Sequence, residues 1–206
     1  MDLILQAGLL VLSYLAGGIP TGYLVVRRLR GVDIRVFGSG NPGTANVYRV
    51  AGAKAGAITL VVDAGKGFLP VLLARHAFPG RPDFIILCGV AAIIGHVWTV
   101  FLGFKGGKGV ATSAGVFAAL IPVPLALTLL VFLCAMGLSG HISMGSISGA
   151  VVLPLFSFLW GAPHFYSLMA LAAGVLILYK HIPNMRLLLA DGGNVLRHGR
   201  PLSGKP

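Results

Sequence analysis

The apolar residues of this chain fall in long blocks separated by short polar links. The first block covers about residues 3–26 and stops at Arg27-Arg28-Leu29-Arg30. A polar, glycine-rich stretch runs from Gly31 to about Lys54. The second block, about 55–74, carries Asp63 and Lys66 inside it. A link from His76 to Asp83 contains Pro79-Gly80 and Pro82, and the third block, about 84–104, ends in the glycine-rich run Gly103 to Gly109. Residues 110–137 are continuously apolar but hold Pro122 and Pro124 near their middle. As one helix this stretch would be about 42 Å long at 1.5 Å per residue, and proline lacks the N–H that a helix interior needs. The pattern therefore predicts two short helices with a tight turn near 121–124. A polar link at 139–146 follows, then a sixth block at about 147–161 containing Pro154, a seventh at about 164–180, and a polar, basic tail from His181 to Pro206. A membrane-spanning helix needs roughly 20 apolar residues. The pattern thus predicts an all-α polytopic membrane protein with seven transmembrane helices, forming a single domain over 1–206 with no room for a separate soluble one.

Composition agrees with lipid as the solvent. Hydrophobic residues make up 56% of the 206 and charged residues only 10%, against about 25% in a soluble domain. Such a chain has too little polar material to cover a water-facing surface. All five acidic residues are Asp, and the net charge is +11. The charge does not point to nucleic acid, because the cations are interleaved with apolar blocks instead of forming a basic domain. With seven crossings, one face carries Arg27, Arg28, Arg30, Arg35, Arg49, Lys54, Lys105, Lys108, Lys180, Arg186, Arg197, Arg200 and Lys205, which is 13 cations. The other face carries 2, Arg75 and Arg81, with Lys66 inside a span. Cytoplasmic loops are the Lys/Arg-rich ones, so the N-terminus is expected outside and the C-terminus in the cytoplasm. Met1-Asp2 lacks the basic region of a cleaved signal and is expected to open a retained span. Cys88 and Cys134 lie in apolar blocks without ligand or disulfide spacing and read as two small buried hydrophobes.

Three segments carry candidate chemistry. Gly38-Ser-Gly-Asn-Pro-Gly-Thr-Ala-Asn46 has three glycines, hydroxyls and amides. Glycines let backbone N–H groups approach an anion, and Arg49 follows with a fork suited to phosphate; a plain flexible loop is the competing reading. Gly103-Phe-Lys-Gly-Gly-Lys-Gly109 sets two lysines among four glycines just before an apolar helix, where N–H groups favour anions. Its spacing is not that of a nucleotide-binding P-loop. Orientation in the membrane needs the lysines but not the glycines. His181 and Asn184 close the last span, three residues apart on one helical face, and read equally as an interfacial histidine and a cap. Asp63 and Lys66 share the same spacing inside a span, where an isolated charge costs a few kcal/mol, so a supporting ion pair is expected. His96 lies in a span and needs a partner there.

The absent groups narrow the chemistry. There is no Glu, no His-x-x-x-x-Asp box, no Gly-x-Ser-x-Gly elbow and no carboxylate cluster for a metal. What remains is a set of cations and hydrogen-bonding groups suited to holding phosphates. At these residues the sequence resembles the bacterial acyl-phosphate:glycerol-3-phosphate acyltransferase family. The match is carried by Gly38–Arg49, Gly95–Thr112 and His181–Leu189, with Pro20-Thr-Gly-Tyr23, Asp63-x-x-Lys66-Gly67 and Ser143-x-x-Ser146 alongside. It spans nearly the whole chain, and Gly-Phe-Lys-Gly-Gly-Lys-Gly-Val-Ala-Thr is highly specific.

The resemblance implies seven spans in the cell (inner) membrane, no metal or other cofactor, and an active site on the cytoplasmic side. The implied reaction moves an acyl group from acyl phosphate to the sn-1 hydroxyl of glycerol 3-phosphate, giving lysophosphatidic acid and phosphate, the first acylation of phospholipid synthesis. It implies Ser39, Arg49, Lys108, His181 and Asn184 as the catalytic set holding glycerol 3-phosphate. Gly103, Lys105, Gly106, Gly107 and Gly109 would hold the phosphate of the donor. Gly40, Asn41, Thr44, Asn46, Ser143 and Ser146 are further substrate-binding candidates, and Asp63, Lys66 and His96 are supporting ones. Membrane lipid is an implied partner, and no obligate protein partner is inferred. The chain departs from the family pattern at Thr44-Ala45, where Ala-Thr is usual, at Thr99, where proline is common, and at Leu187, where Arg is frequent and Arg186 stands beside it. The acidic residue usual in the tail has no counterpart. A transporter of an organic phosphate is the alternative. Such proteins place polar sites at the midplane between repeats, whereas here the motifs gather at one face and no repeat is evident.

Overall fold

The computed structural model describes residues 2–190, and these are helical almost throughout. The elements are α1 (Asp2–Gly18), α2 (Thr21–Arg30), a 3-10 turn at Ile34–Val36, α3 (Thr44–Ala51), α4 (Ala53–Ala77), α5 (Pro82–Val97), a second 3-10 turn at Val100–Leu102, α6 (Val110–Leu120), α7 (Pro122–Ser139), α8 (Ile142–Leu159) and α9 (His164–Ala190). Among the described residues, six stretches are long and apolar enough to cross a membrane: Asp2–Arg30, Ala53–Ala77, Pro82–Leu102, Pro122–Ser139, Ile142–Leu159 and His164–Leu188. α6 is shorter. Its 11 residues reach about 16 Å at 1.5 Å per residue, roughly half the ~30 Å hydrocarbon core. The break expected near 121–124 falls at Ile121, with Pro122 opening α7.

The described residues form two compact units that divide inside α6, between Val116 and Phe117. In the first unit α1 packs along α5, and glycine lets their backbones meet. A Cβ on Gly17 would overlap the Ala92 carbonyl oxygen, and one on Gly95 would overlap that of Tyr14. Small residues at helix contacts are how spanning helices approach closely without a hydrophobic drive between them. The start of α6 packs on α4 in the same way, with Gly67 against the Thr112 carbonyl and Gly115 against that of Ala64. Beside these spans, Val26, Ile34, Val47 and Ala55 bury a small core joining α2, the first 3-10 turn, α3 and the start of α4. In the second unit α8 packs between α7 and α9, again through glycine: Gly145 lies against Phe132 and Gly174 against the Ala150 carbonyl. α4, α8 and α9 continue through Pro70, Pro154 and Pro183.

Two expectations are corrected. The first block is not one helix: it breaks at Ile19-Pro20 between α1 and α2, because proline cannot donate into the preceding turn. Cys88 is buried as expected, but Cys134 is exposed. It shares α7 with exposed Leu130 and Leu133, a face that lipid can cover without cost. Arg197, Arg200 and Lys205 of the charge count lie outside the described residues.

Candidate functional site

The polar segments of the first unit are built from glycine turns pinned by a few buried side chains. After α2 ends at a left-handed Gly31, Asp33 caps the Ile34–Val36 turn and grips Arg35, with Nη2 to Oδ2 at 2.7 Å. The Arg35 guanidinium also lies over the Tyr23 ring, 5.4 Å from its centroid. The pairing holds the Asp33 carboxyl below its usual range and raises the guanidinium. Gly38 and Gly40 then take positive φ, 58° and 68°, which a side chain would resist.

This loop is clamped from α3. Asn46 is 1% exposed. Its Oδ1 accepts from the Ser39 N–H at 2.9 Å, and its Nδ2 donates to the Phe37 carbonyl at 2.9 Å. Gly38 has no room for a Cβ, which would overlap Asn46 Oδ1. Asn41 Oδ1 accepts from the Gly43 N–H at 2.9 Å and sets the entry to α3. The Thr44 hydroxyl is buried without a hydrogen-bond partner. Ser39 is exposed, as is Arg49 one turn beyond Asn46 on α3. The clamp therefore fixes a loop whose own polar tips stay open.

The second glycine run hangs from the end of α5. Thr99 Oγ1 donates to the Gly18 carbonyl at 2.6 Å and accepts from the Phe101 N–H at 3.2 Å. Gly103 and Phe104 both take positive φ, 61° and 63°. Gly106 N–H donates to the Val97 carbonyl and Gly107 N–H to the His96 carbonyl, each at 3.1 Å. Two of the loop amides thus cap α5 and are spent on protein. The first turn of α6 brings the N–H groups that no intrahelical carbonyl can reach. Lys105 is exposed and Lys108 half-buried. Behind them the buried hydroxyls of Thr112 and Ser113 have no hydrogen-bond partner. Sequence reasoning passed over Ser113; its signal is a second hydroxyl just after the glycine–lysine run.

Beneath this loop lies a buried polar cluster. Lys66 Nζ is 2.7 Å from Asp63 Oδ1 and donates to the Ile19 carbonyl at 2.7 Å. That carbonyl belongs to the α1–α2 break and also accepts from the Thr21 N–H at 2.9 Å, so the ion pair is tied to the backbone of the break. His96 Nδ1 stands 3.9 Å from the same Asp63 oxygen. Asp63, Lys66, His96 and Thr99, with Gly22, Pro42, Gly106 and Gly107, line a cavity with room for about one water molecule.

The second unit carries the remaining candidates. His181 is 3% exposed, and its Nδ1–H donates to the Ile177 carbonyl at 2.8 Å. Asn184 follows one turn on in α9. Ser146 Oγ donates to the Ile142 carbonyl at 3.0 Å, and Ser143 is half-buried on the same helix. Among the described residues no group of three or more His, Cys or Asp side chains could hold a metal ion.

Residues 7–191 match the family model described as Glycerol-3-phosphate acyltransferase. The chain belongs to the glycerol-3-phosphate acyltransferase family. It is 42% identical to the glycerol-3-phosphate acyltransferase of Endomicrobium trichonymphae, over 91% of this chain and 94% of that protein. It is 44% identical to the one of Solidesulfovibrio magneticus, over 87% and 89%. It also superposes on the crystal structure of PlsY (YgiH), an integral membrane glycerol 3-phosphate acyltransferase, in its glycerol 3-phosphate form. The TM-score is 0.86 at 38% identity, covering 90% of this chain and 92% of that one. The lysophosphatidic acid form of the same protein gives 0.83. The chain is thus a multi-pass membrane acyltransferase that uses glycerol 3-phosphate, and the transporter reading is not favoured.

Proposed function

We propose that the donor is an acyl phosphate and that the two glycine-rich loops of the first unit receive the two phosphates. The observation that carries this is the charge balance around the loops. Arg49, Lys105 and Lys108 stand in or beside them, while Asp33, Asp63 and Asp83 are each held by a cation of their own, Arg35, Lys66 and Arg81. Among the described residues, none of these three carboxylates is left to compete with a bound anion there. Ser39, Arg49 and Lys108 are assigned to glycerol 3-phosphate from their loops, and His181 and Asn184 are assigned to the same substrate by the family motif alone. Gly103 to Gly109 with Lys105 hold the donor, aided by the N-terminus of α6. Gly40, Asn41, Thr44, Ser143 and Ser146 line the substrates, and Asn46 serves by holding Ser39.

The chemistry asks little of the protein beyond placement. An acyl phosphate is a mixed anhydride with a good leaving group. The sn-1 hydroxyl oxygen attacks the acyl carbonyl carbon, the bond from that carbon to the phosphate oxygen breaks, and phosphate leaves with the electron pair. A phosphate oxygen takes the hydroxyl proton. The obstacle is bringing two anions together. Arg and Lys offset that repulsion most where water is excluded, and fixing the hydroxyl against the carbonyl supplies the rest. Apolar spans shelter the acyl tail.

The topology we propose has seven crossings, N-terminus outside and C-terminus in the cytoplasm of the cell (inner) membrane, with residues 1–206 as one catalytic domain and the loops on the cytoplasmic face. α6 provides the short crossing. The Gly103–Gly109 backbone adds depth, because non-helical backbone is tolerated in a membrane where protein satisfies its polar groups.

The test uses purified protein in detergent with glycerol 3-phosphate and palmitoyl phosphate, following phosphate release and lysophosphatidic acid. Stoichiometric release supports the reading. No release, with transfer from an acyl thioester instead, overturns the donor. Cysteine labelling from each side of sealed vesicles, with a cysteine at position 54 expected to react only from the cytoplasmic side, checks the orientation.

A further inference from the structure

Gly107 rests directly on the imidazole of His96. A Cβ at this position would overlap Nε2 of the ring, with Cε1 at 2.9 Å and Cδ2 at 3.1 Å. The backbone does not itself ask for glycine there, since Gly107 is not among the positive-φ residues. The three atoms nearest to such a Cβ all belong to the ring. Gly106, its neighbour, is different: a Cβ there would meet the His96 carbonyl oxygen, which belongs to the backbone and cannot swing aside. The imidazole is 8% exposed and faces Asp63 through Nδ1 at 3.9 Å. Asp63 is in turn anchored through Lys66 to the α1–α2 break. The ring thus has the ion pair on its far side and bears the loop on its near side.

We propose that His96 is a positioning residue for the donor loop: its imidazole is the form on which Gly106-Gly107 takes its shape, and it sets the affinity for acyl phosphate without taking part in the transfer. This rests on Gly103–Gly109 being the donor loop. An imidazole is flat and stiff, and a turn pressed on it has one height. Removing the ring lets the turn sink, so that Lys105 and the first N–H groups of α6 no longer converge on the donor phosphate. Adding a methyl at Gly107 lifts the turn off the ring, with the same loss.

The experiment is a pairwise cycle read as separate KM and kcat values for both substrates. His96→Ala and Gly107→Ala are each expected to raise KM for palmitoyl phosphate about tenfold or more, with kcat held within about threefold and KM for glycerol 3-phosphate unchanged. In the double variant the methyl enters the space the ring has left, and KM for palmitoyl phosphate recovers to below that of Gly107→Ala alone. His96→Ala is expected to give no such recovery to Gly106→Ala, whose obstacle is backbone. A merely structural histidine would lower folded yield and kcat together and would show no selective rescue; that result overturns the proposal. If His96→Ala does not fold, His96→Asn replaces it in the cycle, keeping a polar group towards Asp63 while vacating the ring's volume, and absence of rescue there is equally decisive. If the rescue appears in KM for glycerol 3-phosphate instead, the positioning role stands and the donor-loop reading falls.

Discussion

Asn46 Oδ1 accepts the Ser39 N–H at 2.9 Å, while the other end of the same carboxamide donates to Phe37. One buried side chain on α3 therefore fixes the height of an exposed serine seven residues earlier. Asn46→Ala leaves the Ser39 amide without its partner, while the Phe37 carbonyl keeps the Gly40 N–H at 3.0 Å. An unsatisfied buried group costs about 1–3 kcal/mol. The expected outcome is a lower thermal midpoint in detergent together with a raised KM for glycerol 3-phosphate. Asn46→Asp keeps the acceptor and loses the donor. It should retain more of the substrate affinity, which steady-state kinetics on the purified variants will show.

The Asp63–Lys66 pair is buried at both ends. Removing one partner of such a pair costs about 3–5 kcal/mol, because the other charge is left without compensation. Asp63→Asn and Lys66→Met should each lower the midpoint of thermal unfolding strongly. The double variant should lie above the sum of the two losses. Strict additivity in a thermal-shift cycle would show that the two side chains act separately.

Arg49 is exposed and its guanidinium matches a phosphate face. Arg49→Lys keeps the charge but loses the paired geometry, so it is not a conservative change. We expect kcat/KM for glycerol 3-phosphate to fall by about tenfold in Arg49→Lys and by more in Arg49→Ala, with the midpoint of unfolding within a degree or two of the parent. An Arg49→Lys variant at full activity would remove the fork from the argument.

At Asp33 the sign of the pH effect follows from the direction of its shift. The Arg35 guanidinium lowers the carboxyl below its usual range. The pair therefore stabilises the loop above the unfolded value of about 3.9, and the contribution is lost as the pH falls through the lower folded value. Between pH 5 and 8 it is constant. The pair is partly exposed and screened, and such pairs contribute about 0–1 kcal/mol. Asp33→Asn should shift the thermal midpoint slightly and by the same amount at pH 5 and pH 8. A difference that grows across that window would point to another titrating group.

At Gly115 a Cβ would overlap the Ala64 carbonyl oxygen of α4. Gly115→Ala should separate α6 from α4 and lower both stability and activity. Gly65→Ala on α4 meets nothing within 4 Å and serves as the tolerated control in the same melting assay.

The long apolar blocks, the poverty in charge and the three motif segments were legible in the sequence, because each is a local property. Block length alone separates lipid from water as the solvent, and the glycine–lysine run needs no partner to be recognised. The Asp63–Lys66 contact was legible for the same reason, since a spacing of three on a helix brings two side chains to one face. The break at Ile19-Pro20 was hidden inside an apolar block, because hydropathy does not register a missing N–H. Nothing in the chain order joins Ile19 to Lys66, Gly18 to Thr99, or Gly107 to the ring of His96. These contacts exist only once α1, α4 and α5 are packed and the loop after α5 has folded back on its own last turn. That packing decided that Gly106 and Gly107 spend their amides on α5, and that a buried imidazole lies under the loop. Sequence fixes which groups are available and which solvent surrounds them, while the carbonyls and N–H groups that remain unpaired depend on which backbones glycine allows to touch.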